Sequence, residues 1–353
     1  MKLLKRIAQG VGLLVAGLAV ALVIWALLPP STPAIDGPSS IATIERVHLG
    51  GVEQAILVRG RDTAAPVLLY VHGGPGTGHL PIARTYSELL EDEFVVVHWD
   101  QSGAGASCEG AEWDTISLDG IVTETIELSE ILAARFGDDG KIFLLGHSWG
   151  SLVGALAAQR RPDLYHAYIG VGQLVDGRQN EELSYAWVEK EAKRREDTEA
   201  LAALAQIAPP YADNDQLRTQ REILHRYRGS IYAVDQAKTV LPSLFFGREY
   251  TLANRLSYLS CMERSLATLW PEVEKTNLRT QIPRLEVPVF FFNGRHDWNT
   301  PTPLVEDWAA QLSAPEIELV WFENAGHFVP IEAPYEFQRA LIDRVLPIAA
   351  PAP

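Results

Sequence analysis

The chain has 353 residues, 47% of them apolar and 21% charged, and a formal net charge of −15. This is the composition of a folded globular protein with a sizeable core, in one large domain or two modest ones, and it excludes a disordered chain. The acidic balance excludes nucleic-acid binding, which needs a basic face, and leaves the substrate open.

The first feature in chain order is an apolar run over residues 7–28 in which Gln9 is the one strongly polar side chain. A run of that length spans a bilayer as a helix. Lys2, Lys5 and Arg6 precede it and the next acidic residue after it is Asp36. The positive-inside rule then leaves the N-terminus in the cytoplasm and the remainder on the extracytoplasmic side. A retained anchor is favoured over a cleaved signal peptide, whose apolar region is usually about 7–15 residues and whose A-x-A site is poorly matched by Thr32-Pro33-Ala34. Pro29, Pro30 and Pro33 stop the helix, so residues 1–40 are expected to be a transmembrane anchor and linker.

β-rich runs follow at 41–47, 53–58, 67–71, 94–99, 141–145, 167–171, 287–292 and 316–322. The later ones are almost continuously apolar, as strands covered on both faces tend to be. Helical patterns at 121–136, 151–160 and 334–346 separate several of them. The alternation predicts an α/β fold: a mostly parallel, eight-stranded sheet that begins with a hairpin. Between residues 173 and 283 the pattern turns charged and helical (181–195, 199–207, 216–227), with Pro209-Pro210 and Pro242 as breaks. The expected division is a first core part over 41–175, an inserted helical cap over 176–283 and a second core part over 284–353.

Gly146-His147-Ser148-Trp149-Gly150 carries the chemistry. An apolar run precedes this G-x-S-x-G element and an alanine-rich helix follows it. That context is a nucleophile elbow, in which the strand turns sharply into a helix and exposes Ser148. A serine hydroxyl is a weak nucleophile, so it needs a base, and the base needs a carboxylate to orient it. The order expected along the chain is Ser, Asp or Glu, His. Asp297 follows the 287–292 strand and His327 follows the 316–322 strand, both in loops at the sheet edge where Ser148 should emerge. The expected triad is therefore Ser148 as nucleophile, His327 as base and acid, and Asp297 as orienter. His72, His98, His147, His166 and His296 compete with His327, and Asp176 or His296 with Asp297. Backbone N–H groups must meet the developing oxyanion. One should be that of Trp149, and the other should come from His72-Gly73-Gly74-Pro75-Gly76 after the 67–71 strand.

Cys108 and Cys261 have no metal-ligand spacing, and neither a metal nor a cofactor is expected. In an oxidising compartment they would pair and tie the loop near the active site to the cap; two unpaired thiols is the plainer reading.

Taken together, His72 to Gly76 (HGGPG), Trp99-Asp100-Gln101-Ser102-Gly103-Ala104-Gly105-Ala106-Ser107 and Gly146 to Gly150 (GHSWG) resemble the proline iminopeptidase branch of the α/β-hydrolase superfamily. The likeness runs over about residues 41–347. It implies Gly74 and Trp149 as the oxyanion donors and agrees with Ser148, Asp297 and His327. The branch has an arginine where this chain has Ser102, which removes a positive charge expected near the active-site entrance. In aminopeptidases of the branch, cap glutamates hold the substrate's free amino group. Glu181, Glu182 and Glu263 are the candidates here, and solvated helix charges explain each of them equally well.

Three functional readings follow. The first is a membrane-anchored serine aminopeptidase of proline iminopeptidase type that acts on short peptides through an acyl-enzyme. The second is a membrane-anchored serine esterase or amidase acting on small acyl compounds. The third, a noncatalytic binding protein on the same scaffold, needs a damaged triad, and no member is missing. The oligomeric state is left open.

Overall fold

The computed structural model describes residues 28–137 and 139–349, together with residues 6, 9–14, 16, 17 and 20. Eight strands form one sheet: β1 (Ile41–Leu49), β2 (Val52–Gly60), β3 (Val67–Val71), β4 (Val95–Asp100), β5 (Ile142–His147), β6 (Tyr165–Val171), β7 (Val289–Gly294) and β8 (Ile317–Phe322). Their order in space is β1-β2-β4-β3-β5-β6-β7-β8. β1 pairs with β2 and β2 with β4 antiparallel, and every later pair is parallel. The β1–β2 hairpin closes on Gly50 and Gly51, both at positive φ (58° and 87°), the backbone that a two-residue hairpin turn demands. The expected α/β architecture is thus present.

One part of the expected architecture is corrected. No helix among the described residues is long and apolar enough to cross a membrane. A span needs about 20 apolar residues in one helix, and the described helical pieces near the N-terminus are only 6, 9–14, 16–17 and 20. The rest of the 7–27 run lies outside the described residues. Membrane attachment through an N-terminal helix, and the extracytoplasmic placement that depended on it, lose their support together. The linker that follows rests on the folded body: Ser31 N–H donates to Arg248 O (2.9 Å), and Arg59 Nη1 donates to Thr32 Oγ1 and Pro33 O (2.7 Å each).

β3 and β5 are buried along their whole length because helices cover both faces. Alternate residues feed two cores. Leu69, Val71 and Leu144 pack under the helices Leu118–Phe136 and Trp149–Arg160, and Leu68, Phe143 and Leu145 face Phe337 and Leu341. Between β6 and β7 the chain leaves the sheet and forms the helices Gly177–Arg194, Thr198–Leu204, Asn214–Arg226, Gln236–Thr239, Leu241–Phe246, Leu252–Val273 and Leu278–Gln281. Three of them start on aspartate caps, Asp176, Asp197 and Asp213, each accepting the N–H three residues on. They share a core of their own around Val188, Leu204, Leu217 and Leu224.

The 22-residue helix Leu252–Val273 fastens these helices to the sheet. Its inner face carries Tyr258, Cys261 and Ser265. Cys261 forms a disulfide with Cys108, against the plainer expectation of two free thiols. Tyr258 OH donates to Gly78 O and Ser265 Oγ donates to Gly103 O, at 2.9 Å each.

Candidate active site

The site stands at the carboxyl ends of β3 to β8, where each strand hands over to a loop. β5 ends at His147 and the next helix begins at Trp149, so Ser148 alone makes the turn, at φ 56° and ψ −122°. A positive φ costs a non-glycine residue about 1–3 kcal/mol and persists only where the surroundings enforce it. They do here. A β-carbon at Gly146 would lie 2.1 Å from Gly150 O, and one at Gly150 would lie 2.1 Å from Val71 O. Ser148 N–H is held by Val171 O of the neighbouring strand at 2.9 Å.

Loops after β7 and β8 bring Asp297 and His327 together. His327 Nδ1 lies 2.8 Å from Asp297 Oδ2, and both side chains are buried. Asp297 Oδ1 also accepts the N–H groups of Asn299 (2.9 Å) and Thr300 (2.8 Å), while Thr300 Oγ1 donates to Oδ2 (2.8 Å). Four hydrogen bonds therefore fix a buried carboxyl group in place. Gly172 gives the pair its room: a β-carbon there would sit 2.8 Å from His327 Nδ1. Asp176 and His296, the alternatives to Asp297, lie elsewhere. Asp176 caps the helix Gly177–Arg194 and bonds Arg279, and His296 stacks on Tyr232.

His147, which competes with His327 in the sequence, has a different place. Its Nε2–H donates to His327 O (2.9 Å), and its ring lies 4.9 Å from the His327 ring. Burial and the neighbouring His327 push its pKa down to about 3, so it is neutral and acts as a fixed donor.

The residues of the Trp99-Asp100-Gln101 segment form a frame that the sequence did not disclose. Gln101 Nε2 donates to His72 O (2.9 Å), and its Oε1 accepts from Trp149 Nε1 (2.9 Å), which joins the glycine-rich loop to the elbow. Asp100 accepts from His79 N–H (3.0 Å), Ala106 N–H (2.8 Å) and Tyr250 OH (2.7 Å). Gly74 and Gly76 take φ of 122° and 83°, and a β-carbon at Gly76 would meet Ser265 Cβ at 2.4 Å. Ser102 is not at an entrance. It is buried, accepts from Gln54 Nε2 (2.7 Å) and donates to Glu124 Oε1 (2.8 Å).

Ser148, His327, Gly74 and Trp149 all line one cavity of about 440 Å³ between the sheet and the cap. Asp297 sits behind it. The cap helices contribute Asn180, Arg221 and Trp270, none of which the sequence singled out. Of the three candidate glutamates, Glu182 is on the outside beside Arg178 (3.5 Å), and Glu263 stands at the cavity mouth bonded to Arg218 (2.9 Å). Glu181 is buried. Its Oε1 accepts from Arg221 Nη2 (2.6 Å) and from Asn180 Nδ2 (3.0 Å). Among the described residues, Glu181 Oε2 and Asn180 Oδ1 are buried acceptors without a partner.

This fold and this arrangement of strand-end residues define a class, and the sequence comparisons agree with it. Residues 66–334 match the family described as alpha/beta hydrolase fold, and the chain belongs to that family. It is a proline iminopeptidase-like hydrolase. It is 32% identical over 311 residues to the probable aminopeptidase YbaC of Bacillus subtilis, covering 87% of this chain and 97% of the relative. It is 26% identical to a proline iminopeptidase of Lactobacillus crispatus, over 82% and 94% of the two chains. Among solved structures, a proline iminopeptidase of Mycobacterium smegmatis superposes with a TM-score of 0.62 at 20% identity, covering 86% of this chain and 97% of its own. At that identity the likeness speaks for the fold alone.

Proposed function

We propose that the chain is a serine aminopeptidase of proline iminopeptidase type that removes the N-terminal residue of short peptides. The observation that carries this reading is the single cavity lined by Ser148, His327, Gly74 and Trp149, with Asp297 bonded behind His327. In the proposed mechanism Ser148 Oγ attacks the scissile carbonyl as His327 Nε2 takes its proton. Asp297 holds the Nδ1–H tautomer and stabilises the imidazolium. The N–H groups of Gly74 and Trp149 receive the negative oxygen of the tetrahedral intermediate. His327 returns the proton to the leaving amine, the acyl group stays on Ser148, and water activated by His327 releases it.

The unpartnered Oδ1 of Asn180, which lines the cavity, supports a site for the substrate's ammonium group, with Glu181, paired to Arg221, behind it. A buried acceptor left unsatisfied costs about 1–3 kcal/mol, and an ammonium supplies three donors. The test compares prolyl and alanyl 4-nitroanilides with their N-acetyl forms and with 4-nitrophenyl acetate. Cleavage of the free-amine anilides, lost on acetylation and lost in Ser148→Ala, is the expected result. Equal cleavage of blocked and free forms would remove the aminopeptidase reading, and full activity of Ser148→Ala would remove the serine mechanism.

A further inference from the structure

The cavity's lining runs from half-exposed side chains to fully buried ones. The side chains of Arg218 and Glu263 are half exposed and mark the mouth. One buried end is the Asn180 region of the cap. The other is an inner arm that runs from His72 and His147 beneath the glycine-rich loop to Tyr70, His79, Ile82 and Tyr86, all of them at most 9% exposed. A peptide longer than two residues must leave the reaction centre through the mouth. With the ammonium at Asn180, the inner arm remains for the side chain of the N-terminal residue.

The arm's chemistry is specific. Its walls are rings: His79 meets Tyr70 edge-on with centroids 4.9 Å apart, and Tyr70 lies 5.6 Å from Tyr86. The ring nitrogen His79 Nε2 is 3.1 Å from His98 Nδ1, and among the described residues His79 Nδ1 has no partner. Among the described residues lining the arm there is no Asp, Glu, Lys or Arg. Asp100, the nearby carboxylate, is saturated by its three donors, and burial holds the pKa of His79 well below 6.5, so the ring is neutral. A charged side chain would be desolvated there without a counter-charge, at a cost of several kcal/mol. An aromatic side chain would gain edge-to-face contacts, about 0.5–1.5 kcal/mol per pair beyond its burial. A neutral imidazole nitrogen accepts or donates according to its tautomer, so a hydroxyl at the tip of that side chain satisfies it either way. A pyrrolidine ring or a methyl group offers the walls of Tyr70, His79 and Tyr86 neither an aromatic edge nor a hydroxyl.

We propose that the Tyr70–His79–Ile82–Tyr86 arm is a side-chain subsite that selects large, uncharged aromatic N-terminal residues, tyrosyl before phenylalanyl, over alanyl and prolyl. This rests on the aminopeptidase reading above. The experiment measures kcat/KM for tyrosyl, phenylalanyl, tryptophanyl, alanyl and prolyl 4-nitroanilides with the wild-type protein, Ile82→Trp and Ile82→Ala, each checked for folding by its thermal melt. The wild type should prefer the aromatic pair by at least about tenfold, and Ile82→Trp should lower the phenylalanyl-to-alanyl ratio by at least about tenfold. Ile82→Ala widens the arm and should move the preference from tyrosyl toward tryptophanyl by at least about threefold, which keeps the test alive if the tryptophan variant does not fold. An aromatic preference absent from the wild type, or ratios within about twofold of it in the variants, overturns the subsite. If no free-amine anilide is turned over, 4-nitrophenyl acetate and 4-nitrophenyl 3-(4-hydroxyphenyl)propionate put the same question. A preference for the aromatic ester that Ile82→Trp abolishes then rejects the aminopeptidase reading and keeps the arm. No such preference overturns the arm itself.

Discussion

Breaking the Cys108–Cys261 disulfide tests how the cap is held. The bond joins positions 153 residues apart, one just after the turn Gly105–Ser107 and the other on the inner face of the helix Leu252–Val273. For a closed loop of that length the chain-entropy relation gives about 5 kcal/mol at 25 °C. A body of roughly 300 residues unfolds with an entropy near 0.65 kcal/mol/K, so this loss corresponds to a fall of about 8 °C in Tm. The assay is circular-dichroism melting of the wild type and of Cys108→Ala/Cys261→Ala, each with and without reductant. Both residues are buried, and alanine leaves a small apolar gap that adds to the loss rather than hiding it. The expected pattern is a lower Tm for the double variant, matched by the reduced wild type, with no further effect of reductant on the variant. A wild-type Tm that reductant does not move, together with a double variant within about 2 °C of it, would refute the reasoning, because the loop would then contribute nothing to the unfolded chain's freedom.

Three further outcomes follow from particular contacts. Asp297→Asn keeps an oxygen for the Asn299 and Thr300 N–H groups but lets His327 take the wrong tautomer. Steady-state kinetics should show kcat down by about 10³–10⁴ with KM little changed. Burial raises the Glu124 carboxyl to a pKa of about 7, against 4.5 for an ordinary glutamate, so the folded state binds the extra proton. Stability should therefore fall as pH rises from about 4.5 to about 7 and stay level above that, by at most about 3 kcal/mol. Glu124→Gln keeps the Ser102 hydrogen bond without the charge. Urea unfolding should find it more stable than the wild type at pH 8 and equal to it near pH 4; a variant less stable at pH 8 would count against a neutral buried carboxyl. Gly150→Ala drives a β-carbon to 2.1 Å from a backbone oxygen that cannot move aside. Its unfolding free energy should drop by roughly 3 kcal/mol or more, and a loss under about 1 kcal/mol would mean that the elbow has slack.

The parts of this molecule legible in its sequence are those whose local pattern and tertiary role coincide. β3, β5 and β7 read as strands because sheet burial on both faces makes them apolar throughout, and the elbow read as an elbow because only glycine fits at 146 and 150. Asp297 and His327, whose side chains meet at 2.8 Å, stand out in the sequence because each follows a legible strand. The helix Leu252–Val273 was not found, for the opposite reason. Its buried face is half polar, with Asn254, Tyr258, Cys261 and Ser265, while Leu256 and Leu259 are exposed. A hydrophobic pattern therefore gives the wrong face. Asp100 and Gln101 stood in a recognised segment, but their work is to bond backbone and side-chain groups far along the chain. Spacing cannot show that. The apolar run at 7–28 shows the reverse hazard: hydropathy measures transfer to lipid, and it forecast a single spanning helix that the described residues do not contain.

The helix the sequence hid also joins specificity to chemistry. Its inner face packs against the glycine-rich loop, with Ser265 filling the space that only a glycine at position 76 leaves and Tyr258 holding Gly78 O. One strip further round, Met262, Leu266 and Trp270 line the cavity. A displacement of this helix large enough to admit a different substrate would also shift the loop that carries Gly74. In this site the wall that fits the substrate and the loop proposed to receive the oxyanion are one packed unit. Close-packed interiors transmit such shifts instead of absorbing them. A substitution at Leu266 or Met262 that changes substrate fit should therefore move kcat as well as KM, whereas one at the mouth, at Arg218, should move KM alone.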